Sequence, residues 1–304
     1  MTDLPYHPGP PATFGGLEQR PGSFDRSRAV VLPIPFERTT SYGSGTKSGP
    51  REIIAASSQV ELYDEELGWE ICEVGIHTLP PMELPFSDTA EAFGEIRRAG
   101  AWLASARKFV VALGGEHAIT APLVAGMASA HPGLTVLQID AHADLRESYL
   151  GDPHSHASAM RRVLEHAPAV QVGIRNLSAP EAHAVRDLPT TVFYDWNMRE
   201  DDAWMERVVG ALGDPVYISI DCDGLDPAVM PAVGTPEPGG LSWRELLQLL
   251  RRVMRHRQVI ACDVVELCPI PGFVAPNFLA ARLVYKLVGY RFAGARDRAG
   301  FPEP

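Results

Sequence analysis

Leu134-Thr135-Val136-Leu137-Gln138-Ile139-Asp140-Ala141-His142-Ala143-Asp144 opens as an apolar run of strand length and closes with Asp140, His142 and Asp144 at every second position. Pro215-Val216-Tyr217-Ile218-Ser219-Ile220 repeats the theme and closes on Asp221 and Asp223. Both runs predict buried strands. At a strand's exit the chain is still near-extended, so side chains two apart face the same side and can converge on one point. His117 follows a third apolar run, Phe109-Val110-Val111-Ala112-Leu113, after Gly114-Gly115-Glu116. Six donors therefore stand just past three strand ends, where open α/β sheets bind their ligands.

Outward from these runs, apolar strand-like segments alternate with helical ones, the pattern of a parallel sheet covered on both faces. Strands are expected over Ala29 to Ile34, Thr191 to Tyr194 and Val259 to Val265. Helices are expected from about Pro50 to Tyr63, up to Met127, from Asp201 to Leu212, from Ser242 to Arg255 and from Pro276 to Val288. The expected fold is a three-layer α/β/α sandwich around a central, mostly parallel sheet. Residues 28–304 are expected to form a single catalytic domain, and residues 1–27, rich in Pro and Gly, an extended arm able to lie on a neighbouring subunit.

A single Asp after a strand commonly caps a helix or shapes a turn. Four Asp and two His together are different, because their uncompensated negative charge at apolar strand ends is costly unless paired or metal-bound. The set His117, Asp140, His142, Asp144, Asp221 and Asp223 contains no cysteine and is rich in carboxylates, which favours a hard or borderline ion such as Mn2+ over a thiolate zinc site. Two Mn2+ ions would neutralise four carboxylates. Asp140 and Asp221, which begin their clusters, are the candidates to bridge them. A water held between two such ions has its pKa drawn toward neutrality and becomes, as hydroxide, a nucleophile.

Gly114-Gly115-Glu116-His117, Asp140-Ala141-His142-Ala143-Asp144 and Ser219-Ile220-Asp221-Cys222-Asp223-Gly224-Leu225-Asp226-Pro227 resemble, in order and spacing, the three signatures of the ureohydrolases, the arginase and agmatinase family. The resemblance runs from about Arg28 to Tyr290 and implies an arginase-like fold. It implies one Mn2+ among His117, Asp140, Asp144 and Asp221, and a second among Asp140, His142, Asp221 and Asp223. It also implies that Glu266, in Asp263-Val264-Val265-Glu266, binds the substrate guanidinium, a planar fork from which a carboxylate accepts paired hydrogen bonds. Asp144 would take the proton of the attacking hydroxide. A loop histidine would pass a proton to the departing amine, a task suited to a side chain titrating near neutral pH. His154 and His156 both stand on that loop; similarity to the bacterial agmatinase pattern Ser-His-Ala favours His156, with His154 beside it as the alternative.

Arginases resembling this chain carry a polar Asn- and Thr/Ser-containing loop after the second motif, where this chain has Leu145-Arg146-Glu147-Ser148-Tyr149-Leu150-Gly151. That departure argues against an amino-acid clamp. Pro33 to Thr46, a glycine-bearing loop, is similar to the agmatinase branch. The expected activity is hydrolysis of agmatine to putrescine and urea. Guanidinobutyrate, guanidinopropionate and arginine are the alternative substrates, and Arg146 is the residue that would meet an acidic one. A zinc deacetylase of related fold would need only an Asp-His-Asp set, and a catalytically silent homologue would lack His156 or Glu266; both are present.

With 304 residues and 45% hydrophobic content the chain can bury one large core. A net charge of −11 argues against nucleic acid as a partner. Cys72, Cys222, Cys262 and Cys268 form no CxxC, as expected of a protein in a reducing cytoplasm without disulfides. No basic start precedes an apolar segment and no run is long enough to span a bilayer, so neither signal peptide nor membrane partner is expected. Gly239-Gly240 is expected to be a turn, since no Lys-Ser/Thr helix start follows it. The family resemblance implies a homo-oligomer, trimer or hexamer.

Overall fold

The computed structural model describes residues 12–85 and 88–299. In chain order the strands are β1 (Ala29–Ile34), β2 (Tyr63–Asp64), β3 (Trp69–Glu70), β4 (Ile76–Thr78), β5 (Phe109–Gly114), β6 (Thr135–Ile139), β7 (Ala169–Ile174), β8 (Thr190–Tyr194), β9 (Val216–Asp221) and β10 (Val259–Val265). The helices are α1 (Ser23–Arg26), α2 (Gly49–Ser57), α3 (Thr89–Ser105), α4 (Thr120–Ala128), α5 (Ala159–Val163), α6 (Ala179–Ala184), α7 (Asp195–Met198), α8 (Trp204–Ala211), α9 (Trp243–His256) and α10 (Ala275–Ala299). β2 and β3 make a small antiparallel hairpin. The other eight strands form one sheet in the order β4-β1-β5-β10-β9-β6-β7-β8, every pair parallel.

Alternation along the strands divides the apolar side chains between two cores. Phe109, Val111 and Leu113 of β5, with Leu137 and Ile139 of β6, enter a core with Ile53 of α2, Val208 of α8, Leu249 of α9 and Val284 of α10. Val110 and Ala112, with Val136, enter the other core with Ile96 of α3, Leu123 of α4 and Met160 of α5. Side chains of period two on a sheet buried from both sides produce the three layers. Because all eight strands are parallel, their C-terminal ends share one rim, and Asp140, Asp221 and Glu266 follow there from β6, β9 and β10. Among the described residues no helix is long and apolar enough to cross a membrane.

Several element boundaries differ from expectation. α2 ends at Ser57 rather than near Tyr63, where Ser57 and Ser58 hydroxyls bond back to the Ile54 and Ala55 carbonyls and compete with helix continuation. α10 runs on to Ala299, with Tyr290 and Phe292 buried beyond the expected end. α3 was not anticipated; Asp88 caps it by accepting the Glu91 N–H at 3.0 Å, and Ala92, Ile96 and Leu103 face the core. Of the expected N-terminal arm, residues 1–11 lie outside the described residues. Residues 12–27 pack on their own chain: Phe14 is buried, and its N–H and that of Gly15 bond the hydroxyls of Thr78 and Ser57.

Gly115 shows how tightly the rim is drawn together. Its N–H bonds the Ile34 carbonyl, its carbonyl accepts from Glu266 N at 2.8 Å, and a Cβ there would lie 2.0 Å from the Phe36 carbonyl oxygen. No side chain fits without separating the exits of β1 and β5. Gly115→Ala is therefore expected to cost about 1–3 kcal/mol by overpacking and to weaken divalent-metal binding; calorimetric melting with and without added metal measures both.

Candidate metal centre

His117 leaves β5 in a 3-10 turn and is buried. Its Nε2 lies 2.9 Å from Ser219 Oγ, and Ser219 Oγ donates to Asp263 Oδ1 at 2.7 Å. The hydroxyl's one proton is thus committed, so toward His117 it accepts; Nε2 carries a ring proton, and Nδ1 is the nitrogen left for a second proton or for a metal ion. That buried Nδ1 has no hydrogen-bond partner. It faces Asp144 Oδ2 at 3.0 Å, Asp140 Oδ2 at 3.1 Å and Asp221 Oδ2 at 3.4 Å. Lone pairs from four groups converge on one space. A proton there serves one oxygen at a time, whereas a divalent cation serves all four donors, so the residues fit a metal ion.

A second group adjoins the first. His142 Nδ1 stands 3.0 Å from Asp223 Oδ2 and 3.6 Å from Asp140 Oδ1. Asp140, fully buried, offers Oδ2 to the His117 side and Oδ1 to the His142 side. His117, Asp140 and Asp221 bring donor atoms within 4.8 Å of one another, and so do Asp140, His142 and Asp223. Asp144 meets the first group through His117. Asp221 also braces the second, since its Oδ1 accepts the Asp223 N–H at 2.8 Å.

The electrostatics of the cluster favour positive charge among its carboxylates. Burial, then the charges of Asp223 and Asp140, hold Asp221 well above the ordinary carboxylate range. Burial and Asp140 likewise raise Asp223 and push Asp144 up to about 6. Although burial opposes it, Asp140 and Asp223 raise His142 to about 12, and the three facing carboxylates hold His117 well above its usual value. Protons are retained where a metal would otherwise balance the charge.

A row of buried polar residues supports the cluster from within the sheet. Gln171 of β7, Gln138 of β6, Ser219 of β9 and Asp263 of β10 stand side by side in register. Gln171 bonds Gln138, whose amide donates to Asp140 Oδ2 at 2.6 Å. Asp263 also receives the hydroxyls of Thr120 and Tyr217 at 2.8 and 2.7 Å. Sequence reasoning passed over these four. Their signal was a lone polar residue in an apolar strand, and in Gln138 and Ser219 it stands two positions before a ligand-type Asp.

A cavity of about 200 Å³ opens above the cluster, bordered by His117, His142, Asp144, Asp221, Asp223 and Glu266. His156 also borders it, whereas His154 is exposed with its ring against Phe93. Burial, then the charges of His117 and His142, lower His156 to about 4, so its ring is neutral near pH 7. Glu266 is buried, its Oε1 accepts the His117 N–H at 2.7 Å, and burial with the Glu116 charge holds it well above the usual range. Asp144 and Glu266 both adopt left-handed backbone, φ 52° and 61°, a conformation that costs energy for such residues and clusters at functional sites. Asn176 and Glu237, not anticipated, join each other at the cavity mouth.

The arginase family pattern matches residues 27–289, and the chain belongs to that family. It is 43% identical over 277 residues to the N(1)-aminopropylagmatine ureohydrolase of Synechocystis, covering 88% of this chain and 90% of that one. It is 34% identical to the agmatinase of Bacillus cereus, covering 82% and 86%. The crystal structure of agmatine ureohydrolase of Thermoplasma volcanium superposes with a TM-score of 0.82 at 30% identity, covering 91% of this chain and 94% of that one.

Two outcomes are expected of the cluster. Stability of the metal-stripped protein should fall as pH rises from about 6.5 to 8.5, because the raised groups hold protons in the folded state that the unfolded chain has released. His156, lowered from 6.5, acts with the opposite sign, and its contribution fades over the lower part of that window as the unfolded imidazole loses its proton. A melting temperature that rises over the window would contradict this reading, while Mn2+ at 100 times its Kd should restore about 2.7 kcal/mol per site. Asp263→Asn should loosen the hold on His117 and weaken metal affinity about 10- to 100-fold, measured by competition with a chelator.

Proposed function

We propose that this arginase-family chain is a binuclear manganese ureohydrolase that releases urea from a guanidino compound with a cationic tail, agmatine giving putrescine. N(1)-aminopropylagmatine, giving spermidine, is the second reading, favoured by the name of the Synechocystis relative. The observation that carries the proposal is the buried His117 Nδ1, without a hydrogen-bond partner amid three aspartates, on the floor of a cavity with Glu266 on its wall.

The proposed ligands are His117, Asp140, Asp144 and Asp221 for one ion and Asp140, His142, Asp221 and Asp223 for the other. When bound, two Mn2+ ions supply charge neutralisation and a water acidified toward neutral pKa, the nucleophile the reaction needs. Glu266 orients the guanidinium carbon by accepting its N–H groups. Asp144, whose Oδ2 faces the His117 ring at 3.0 Å within the cluster, is the proposed acceptor of the nucleophile's proton. His156 carries a proton to the departing amine.

The mouth supports a cationic tail. Arg146, the residue that would attract an acidic substrate, has its Nε 3.6 Å from Glu181 Oε2 and its guanidinium 5.2 Å from the centre of the Tyr149 ring. Glu237 stands nearby on the same mouth. A homo-oligomer working in the cytoplasm belongs to this reading.

Urea release by the Mn2+-loaded protein should be greatest with agmatine or N(1)-aminopropylagmatine when compared with arginine, guanidinobutyrate and guanidinopropionate. Preference for an acidic compound would reassign Arg146 to the tail, and metal content without urea from any compound would identify a silent homologue. Glu266→Gln should keep its metal and lose about 100-fold in kcat/KM, about 2.7 kcal/mol. Asp144→Asn should lose metal and turnover together; full activity would remove Asp144 from the mechanism.

A further inference from the structure

Thr39 lies on the loop between β1 and α2, 77 residues before Glu116 and 117 before His156, yet its hydroxyl joins the two. Glu116 is fully buried beside His117. Its Oε2 accepts the backbone N–H groups of Arg38 and Thr39 at 2.7 and 2.6 Å, and its Oε1 accepts the Thr39 hydroxyl at 2.9 Å. Thr39 Oγ1 in turn lies 3.0 Å from the His156 backbone nitrogen and 3.1 Å from His156 Nδ1.

A threonine hydroxyl has one proton to donate and two lone pairs to receive. Here the proton goes to Glu116 and one lone pair takes the His156 backbone N–H. Only a lone pair remains for the ring, so Nδ1 must be the protonated nitrogen and Nε2 the bare one. This is the reverse of the tautomer that predominates for histidine in water. Nε2 has no hydrogen-bond partner among the described residues, and His156 borders the cavity.

Resting on the proposed ureohydrolase reading, we propose that Thr39 and Glu116 are positioning residues that lock His156 as the Nδ1–H tautomer with Nε2 toward the reacting amine. Nε2 then both collects the proton and releases it to the leaving nitrogen, while Nδ1–H stays bonded to Thr39 throughout. The same loop contributes Thr40, Ser41, Tyr42 and Gly43 to the cavity mouth, so the segment that meets the substrate also sets the proton shuttle. Glu37 stiffens this loop by accepting the N–H groups of Gly45 and Lys47.

The test compares Thr39→Val and Thr39→Ser in the full chain. With Mn2+ loaded, Thr39→Val should lower kcat about 100-fold, in the range for loss of a positioned acid–base group, with KM and bound metal nearly unchanged. Thr39→Ser, which keeps the hydroxyl, should restore most of the rate. Unchanged kcat in Thr39→Val, or a Thr39→Ser variant as slow as it, overturns the proposal. Nitrogen-15 NMR of histidine-labelled, Zn2+-loaded protein reads the tautomer without any turnover. His156 should carry its proton on Nδ1 in the wild type and lose that preference in Thr39→Val; an Nε2–H tautomer in the wild type refutes the lock. Absence of urea release by the wild type would count against the functional reading instead, leaving the NMR result to decide the tautomer.

Discussion

Four aspartate carboxylates crowd around two imidazoles at the exits of β6 and β9, and their mutual repulsion is the constraint on which the site depends. At about 4 Å, two like charges near a protein surface repel by about 4 kcal/mol. Asp140, Asp144, Asp221 and Asp223 are all buried, where solvent screens them least. Such a cluster is tolerable only with positive charge at its centre. The two imidazoles can supply it as protons and metal ions can supply it in their place: His117 is bonded through Nε2 to Ser219, and its Nδ1 points into the cluster as a ligand would.

The surrounding fold reads as scaffolding for that arrangement. A wholly parallel sheet delivers every strand exit to one rim, and helices on both faces exclude water from beneath it. Of the row across four strands, the Gln171-Gln138 pair ends on Asp140 and the Asp263-Ser219 pair on His117. Arg175 ties down the other side, donating to the carbonyls of Asp223, Glu237 and Pro238 and so fixing the segment after β9 that holds Asp223 and borders the cavity. Orientation of this kind determines how well a donor set holds its ion.

The ligand-type residues were legible in sequence because alternation at a strand's exit requires no tertiary knowledge: Asp140 and His142, or Asp221 and Asp223, converge whatever the neighbouring strands do. The sheet's central strands were legible for a similar reason, being long apolar runs. Partnerships across the fold were not. Gln138 and Ser219 look like single polar interruptions until the register sets them beside Gln171 and Asp263, and Thr39 gives no local sign that it will meet His156. His154 and His156 were indistinguishable by spacing alone; only the close approach of the β1–α2 loop draws one into the cavity and leaves the other exposed. Helix ends failed where serines capped early, as at Ser57, or where amphipathic packing persisted, as at Tyr290.

The central claim is that this carboxylate cluster exists to hold a pair of divalent ions. Titration of the stripped, folded protein with Mn2+ in a calorimeter, with elemental analysis of the dialysed product, tests it most directly. Two ions per chain are expected; one ion or none in protein that remains folded would exclude a two-ion centre.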